Sequence, residues 1–346
     1  MKVRSKFGRV LLVSTFLVAA AACGDDSTTK DTSAPESSAA PATTVAGADT
    51  TAAVPDAGGA SITLAINPWT GSAVNANVAK AVLESKLGVK VNFVEIDEFA
   101  TWPGMEDGSI DAVLEVWPSG HAADYETYID TNKTVVDLGL LGPTAKIGWY
   151  VPTFVVEAHP ELATWEGFKD PELAKLFATA ESGDQGQFLM GDPSYVTFDE
   201  QIIANLGLPL KYVVGGSEAA VLTALDTAVA DQKPVLVQFW KPHWKQSKLD
   251  LTEVTLPEVT DECLASAAAG DGGYACDYAP DILFKAASAG LAAKSPAAFA
   301  FLTKFQLTTE QQSEIAALID GDGMPADAAA AQWVAANADV VAGWMG

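Results

Sequence analysis

Reactive side chains are scarce in this chain. Three histidines serve 346 residues, and the cysteines number three: Cys23, Cys263 and Cys276. There is no H-E-x-x-H, no G-x-S-x-G elbow and no P-loop, so the usual frameworks for metal-assisted hydrolysis, acyl transfer and nucleotide binding are missing. Asp111 and Glu115 could be imagined as a carboxylate pair, but on a strand they more simply flank a cleft. D-G-D-G at Asp320 to Gly323 lacks the ligand run of a calcium loop. No catalytic residue, cofactor or metal ligand is expected. Positive charge is equally short: 20 Lys plus Arg stand against 45 Asp plus Glu, for a net charge of −25. A field of that sign repels nucleic acid and anionic headgroups and mildly favours cationic small molecules.

Long apolar runs are missing too, except at the N-terminus. MKVRSKFGR carries Lys2, Arg4, Lys6 and Arg9, and Val10 to Ala22 follows as an apolar stretch too short for a membrane span. Residues 1–22 read as a secretory signal peptide. A-A-A-C, ending at Cys23, resembles the lipobox of bacterial lipoproteins, with Ala20 in place of the usual Leu, which implies a lipid on Cys23. Residues 23–60 are rich in Ser, Thr, Ala, Pro, Gly and Asp and have little to bury, so they are expected to form a disordered tether with a reach on the order of 30–35 Å. In an exported chain the simplest fate of Cys263 and Cys276 is a disulfide.

The remainder alternates strands and helices. SITLAINPW, VKVNFVEI and IDAVLEVW read as strands around a helix ending at Gly88, and a second cycle begins near Lys146 with IGWYVPTFVV, QFLMGDPSY, LKYVVGG and PVLVQFW. WEGFKDPELAKLF and FDEQIIANLGL read as helices, and Ser217 is expected to cap SEAAVLTALDTAVADQK. Beyond His243 the expectation is loop, the Cys263 to Cys276 excursion, then Ala-rich helices. Such alternation predicts an α/β fold with covered sheets. Two similar lobes are expected, residues 61–147 plus 246–346 and residues 148–245, hinged near Lys146 to Val151 and Gln238 to Lys245.

Against this poverty of reactive groups stand nine tryptophans. Trp165, Trp333 and Trp344 sit in helical patterns and read as packing. Trp69, Trp117, Trp149 and Trp240 stand at strand ends or starts, where open α/β sheets bind ligands. Several indole faces around one small pocket suit a quaternary ammonium, which cannot donate a hydrogen bond but is attracted by ring quadrupoles. Stacking on sugars, as in a surface carbohydrate-binding module, is the rival reading.

N-P-W-T-G, D-A-V-L-E-V-W-P, G-W-Y-V-P and W-K-P-H-W together resemble the substrate-binding proteins of ATP-binding-cassette importers for glycine betaine, choline and related osmoprotectants. The likeness runs from about Ser61 through Lys248. It implies the two-lobed periplasmic-binding-protein fold, a monomer, a membrane permease with its ATPase subunit as partners, and a cage of Trp69, Trp117, Trp149 and Trp240. It also implies that His121 receives a ligand carboxylate. The turn Asp192 to Tyr195, with Ser194, is expected to add backbone donors. Choline-type members carry an acid where Thr70 and Gly71 stand, which favours glycine betaine over choline; proline betaine is a further alternative. His243 is expected to hold the turn behind Trp240, with the cleft rim as its other possible place.

Overall fold

A computed structural model describes residues 59–345; the expected signal peptide, Cys23 and nearly all of the tether lie outside the described residues. Strand β1 (Ser61–Ile66) lies parallel between β2 (Lys90–Glu95) and β3 (Ala112–Val116). Helices α1 (Thr70–Leu87) and α2 (Glu98–Asp107) connect them. The chain leaves α1 through Gly88, whose φ of 65° is a left-handed cap that costs glycine little.

Strand β4 (Val135–Pro152) is the backbone shared by both halves of the molecule. Up to Ala145 it pairs antiparallel with β9 (Asp281–Ser288), which also pairs with β3. From Lys146 it pairs instead with β7 (Leu236–Lys241). Parallel to β7 runs β5 (Gly186–Met190), followed by β6 (Leu210–Val214). The resulting order is β2-β1-β3-β9-β4-β7-β5-β6, with β8 (Leu251–Val254) on β4 at Trp149 to Pro152. Two covered half-sheets on one long strand make the two lobes.

The chain first crosses from one half-sheet to the other at Ala145 and Lys146, and at residue 246 it is still beside the second. β8 satisfies backbone groups of β4 inside the second lobe, so the chain stays there until it reaches β9. Both β8 and β9 were expected as loop or helix: β8 has four residues, and the alanines of D-I-L-F-K-A-A-S disguise a buried strand. T-F-V-V is not strand but the start of a helix (Thr153–Ala158), because Pro152 ends the ladder. WEGFKDPELAKLF breaks into short turns (Trp165–Lys169, Pro171–Ala174, Lys175–Phe177). A Cβ at Gly167 would lie 2.1 Å from the Glu161 carbonyl oxygen, and Asp170 caps a new start at Pro171. Ser217 caps the helix Glu218–Asp231 as expected.

Cys263 and Cys276 are disulfide-bonded. The bridged segment is not remote from the cleft. Tyr274 stacks on Phe198 at 4.3 Å, and the Tyr278 hydroxyl accepts the Phe198 N–H (2.7 Å) while donating to Asp199 (3.0 Å). Closing a loop of this size restricts the unfolded chain by about 3 kcal/mol, which for a domain of this size corresponds to roughly 5 °C in melting midpoint. The double variant Cys263→Ser, Cys276→Ser is expected to melt lower by about that amount in scanning calorimetry; an unchanged midpoint would remove the bridge as a source of stability.

Candidate ligand site

Three strand-end tryptophans meet in one pocket. Trp69, just after β1, Trp117, just after β3, and Trp240 of β7 line it together with Glu98, Ile147, Tyr195, Val196, Thr197 and Gln238. The cavity between them is small, about 40 Å³. Tyr195 presents its ring edge-on to Trp69 and Trp240, with centroids 5.9 Å apart in each case. Among the described residues, no lysine, arginine or histidine lines this pocket.

Glu115 orients two of the rings. It sits in the middle of β3, 3% exposed, where every residue of the strand is buried. Trp69 Nε1–H and Trp117 Nε1–H both donate to its Oε1, at 2.7 and 3.0 Å. Asn75 and Gln312 donate to Oε2 at 2.6 and 2.7 Å. Burial pushes the carboxyl up to about 7, against the four hydrogen bonds that favour its charged form. The glycine of N-P-W-T-G follows from this contact, since a Cβ at Gly71 would stand 2.9 Å from Glu115 Oε2. A glutamate inside a run as apolar as A-V-L-E-V was the sequence signal for such a role.

Trp149 does not reach the pocket. It is fully buried one repeat beyond Ile147 on β4, its ring packs on Phe188 at 4.6 Å and its N–H donates to Asp199 Oδ1 at 2.7 Å. That places it in the second lobe's core. Burial raises Asp199 to about 6, opposed by hydrogen bonds from Trp149, Tyr278 and Thr197.

His121 is likewise absent from the lining. Its Nε2 lies 2.7 Å from Glu98 Oε2 and its Nδ1 2.8 Å from Asp124 Oδ2. Burial alone would lower its pKa, but bonds and charges from Asp124 and Glu98 carry it up to about 9. Both ring nitrogens are thus committed to carboxylates of the protein, at the residue where a receptor for the ligand carboxylate is expected. The turn donors are also spent: Ser194 N–H and Oγ–H go to Asp192 Oδ1 (2.9 and 2.8 Å), and Tyr195 N–H goes to the Asp192 carbonyl (3.1 Å). The next two backbone N–H groups, of Val196 and Thr197, make no hydrogen bond to another described residue.

His243 lies behind Trp240, centroids 5.3 Å apart, in a turn after a cis Lys241–Pro242 bond. Its Nδ1 accepts the Lys245 N–H (3.1 Å) and its Nε2 meets Glu218 Oε1 (2.7 Å). Glu98 and Gln238 are lining residues that the sequence reading missed. Gln238 is 2% exposed with Oε1 unpartnered, and its signal was an amide inside V-L-V-Q-F-W.

Comparison with known proteins identifies the family. Residues 60–336 match the family described as the substrate-binding domain of the ABC-type glycine betaine transport system. A trimethylamine N-oxide-binding protein of Pelagibacter ubique (strain HTCC1062) is 29% identical over 285 residues, 81% of this chain and 88% of that protein. The glycine betaine/carnitine transport binding protein GbuC of Listeria monocytogenes (serotype 1/2a, strain 10403S) is 30% identical over 128 residues, 37% of this chain and 37% of that protein. Lactococcal OpuAC, in its closed conformation with glycine betaine, superposes with a TM-score of 0.63 at 21% identity, covering 83% of this chain and all 100% of the other. A choline-binding protein in complex with choline gives 0.66 at 19% identity, covering 82% and 91%. At such identities these structures speak for the two-lobed periplasmic-binding-protein fold. With its family match spanning nearly all of the described residues, the chain belongs to the substrate-binding domains of ABC-type glycine betaine transport systems, the extracytoplasmic solute-binding components of such importers.

Proposed function

We propose that the pocket captures a small zwitterion with a fully methylated nitrogen, glycine betaine first, and hands it to the importer's permease and ATPase. The convergence of Trp69, Trp117, Trp240 and Tyr195 on one small pocket, lined by no cationic side chain among the described residues, carries this reading. Aromatic faces attract the methylated ammonium by about 0.5–2 kcal/mol each once desolvated, so three or four of them supply much of a micromolar affinity. Glu98 in the lining and Glu115 behind the indoles add negative charge near the cation. The ligand's anionic end meets neutral donors instead of a histidine: the backbone amides of Val196 and Thr197 are the groups left for it. Trimethylamine N-oxide is the second reading, favoured by the Pelagibacter relative that binds it and by the absence of a cationic receptor for a full carboxylate. His121 is a support that holds Glu98, and Trp149 a support that holds Asp199.

The chain acts as a binding protein rather than a catalyst, as a monomer held to the outer face of the cytoplasmic membrane by lipid on Cys23. Among the described residues no helix is long and apolar enough to cross a membrane. In cell fractionation, Cys23→Ser is expected to move the protein from membrane to soluble fraction; an unchanged membrane fraction would refute the anchor.

Calorimetric titration of residues 59–345 with glycine betaine, trimethylamine N-oxide, choline and a neutral oligosaccharide tests the ligand. Binding of one or both zwitterions, weaker choline and no sugar is expected. Trp117→Ala and Trp240→Ala should each weaken binding at least about tenfold, near 1.4 kcal/mol; parental affinity in both would dissolve the cage.

Proton linkage gives a further check. A bound cation favours ionised Glu115, whose carboxyl stands near 7 in the folded protein, so binding at neutral pH expels a proton. Affinity should therefore rise as pH climbs from about 6 to about 8. Titrations in buffers of different ionisation enthalpy should report proton release that Glu115→Gln abolishes; proton uptake would reverse the assignment.

A further inference from the structure

Both backbone neighbours of Trp69 are gripped from the other lobe. The Tyr195 hydroxyl donates to the Pro68 carbonyl at 3.0 Å, and the Thr70 N–H donates to Glu218 Oε2 at 2.8 Å. Thr70 is the first residue of α1, and that helix has no side-chain cap of its own and no acid in its first turn. A helix N-terminus left in this state exposes unsatisfied N–H groups and a partial positive charge. Glu218, 6% exposed at the start of the helix Glu218–Asp231, supplies the missing acceptor from the second lobe. Its other oxygen, Oε1, is 2.7 Å from His243 Nε2, in the turn that follows Trp240. One carboxylate thus joins the segment bearing Trp69 to the segment bearing Trp240.

Asp320 of the first lobe completes the junction, accepting from Thr70 Oγ1 (3.0 Å) and from Trp244 Nε1 (3.1 Å). Glu218, His243 and Asp320 bring three potential ligand atoms within 4.8 Å, which raises the question of a metal ion. The histidine answers it. Because Nδ1 accepts the Lys245 N–H, the ring proton sits on Nε2, and no lone pair there remains for a metal. The grouping is a chain of hydrogen bonds across the cleft.

We propose that Glu218 is a positioning residue for ligand capture, a cap delivered to α1 only when the lobes close, so that closure and placement of Trp69 are one event. This rests on the reading of the pocket as the ligand site and adds what holds it shut. Ligand that bridges the lobes and the Glu218 cap then stabilise the same conformation, and loss of the cap shows as faster release.

Two variants test it. In Glu218→Gln the amide can accept from only one of the two donors, and its NH2 faces the other. Thr70→Pro leaves Glu218 in place and removes the N–H donor, together with the hydroxyl bond to Asp320 inside the first lobe: the first helical position tolerates proline, and Trp69, at φ −144° and ψ 155°, already has the extended conformation that precedes one. Spin labels at Ser85→Cys and Lys233→Cys, both exposed and on opposite lobes, report closure. Each variant should show fewer closed molecules than the parent and about tenfold faster glycine betaine dissociation by stopped-flow tryptophan fluorescence, and the double variant should be no worse than either single one. Identical distance distributions in parent and variants, with and without ligand, overturn the proposal, as do strictly additive effects. A parent that binds no methylated amine refutes the ligand reading instead, and the distance comparison then decides the latch.

Discussion

The site depends on one carboxylate buried between two indoles. Glu115 takes the N–H groups of Trp69 and Trp117 on the same oxygen, so the polar edges of both rings turn away from the pocket. A buried Trp N–H without a partner would cost roughly the desolvation of that group, and a buried carboxylate without donors would cost more. Each supplies what the other lacks. Asn75 of α1 and Gln312 close the remaining valences, which draws β1, β3, α1 and the C-terminal helices onto a single point. Gly71 is the room that this contact needs.

Acid is used twice more around the proposed cage, and each time it is paired. Glu98 is held by His121, whose charge two carboxylates sustain, and Glu218 is held by the Thr70 amide and His243. The chain's general excess of negative charge steers cations only weakly through salt. Three acids placed within or behind a small aromatic pocket act at short range and in a drier medium, where such charges count for more.

Much of the architecture was legible because it is written in local periodicity. β1, β2, α1 and the capped helix at Glu218 follow from alternation, helical spacing and a Ser cap. Trp69, Trp117 and Trp240 were legible as one group because strand ends share a destination in α/β folds. What escaped was decided by pairing at long range. β8 is too short to announce itself and exists because β4 has an edge to fill. Trp149 shares its strand position type with the others, yet β4 runs on into the second lobe and carries it into the core. His121 follows Trp117 closely in sequence, but the carboxylates of Glu98 and Asp124 claim it, and only the packing of α2 reveals that. Glu115 was visible as a charge in an apolar strand, with no local clue to its four donors.

The central claim is that the pocket reads fixed positive charge on a methylated centre, not merely its shape. The compound 3,3-dimethylbutanoate has the outline and carboxylate of glycine betaine but a neutral carbon where betaine has its cationic nitrogen. Competitive calorimetry of the two at one pH isolates the charge. The account predicts that the carbon isostere, which keeps the carboxylate but lacks the positive charge, binds at least about thirtyfold more weakly, the equivalent of about 2 kcal/mol for aromatic and acidic contacts to the cation. Equal affinity would mean that the rings offer only apolar surface, and the charge-based account would be contradicted.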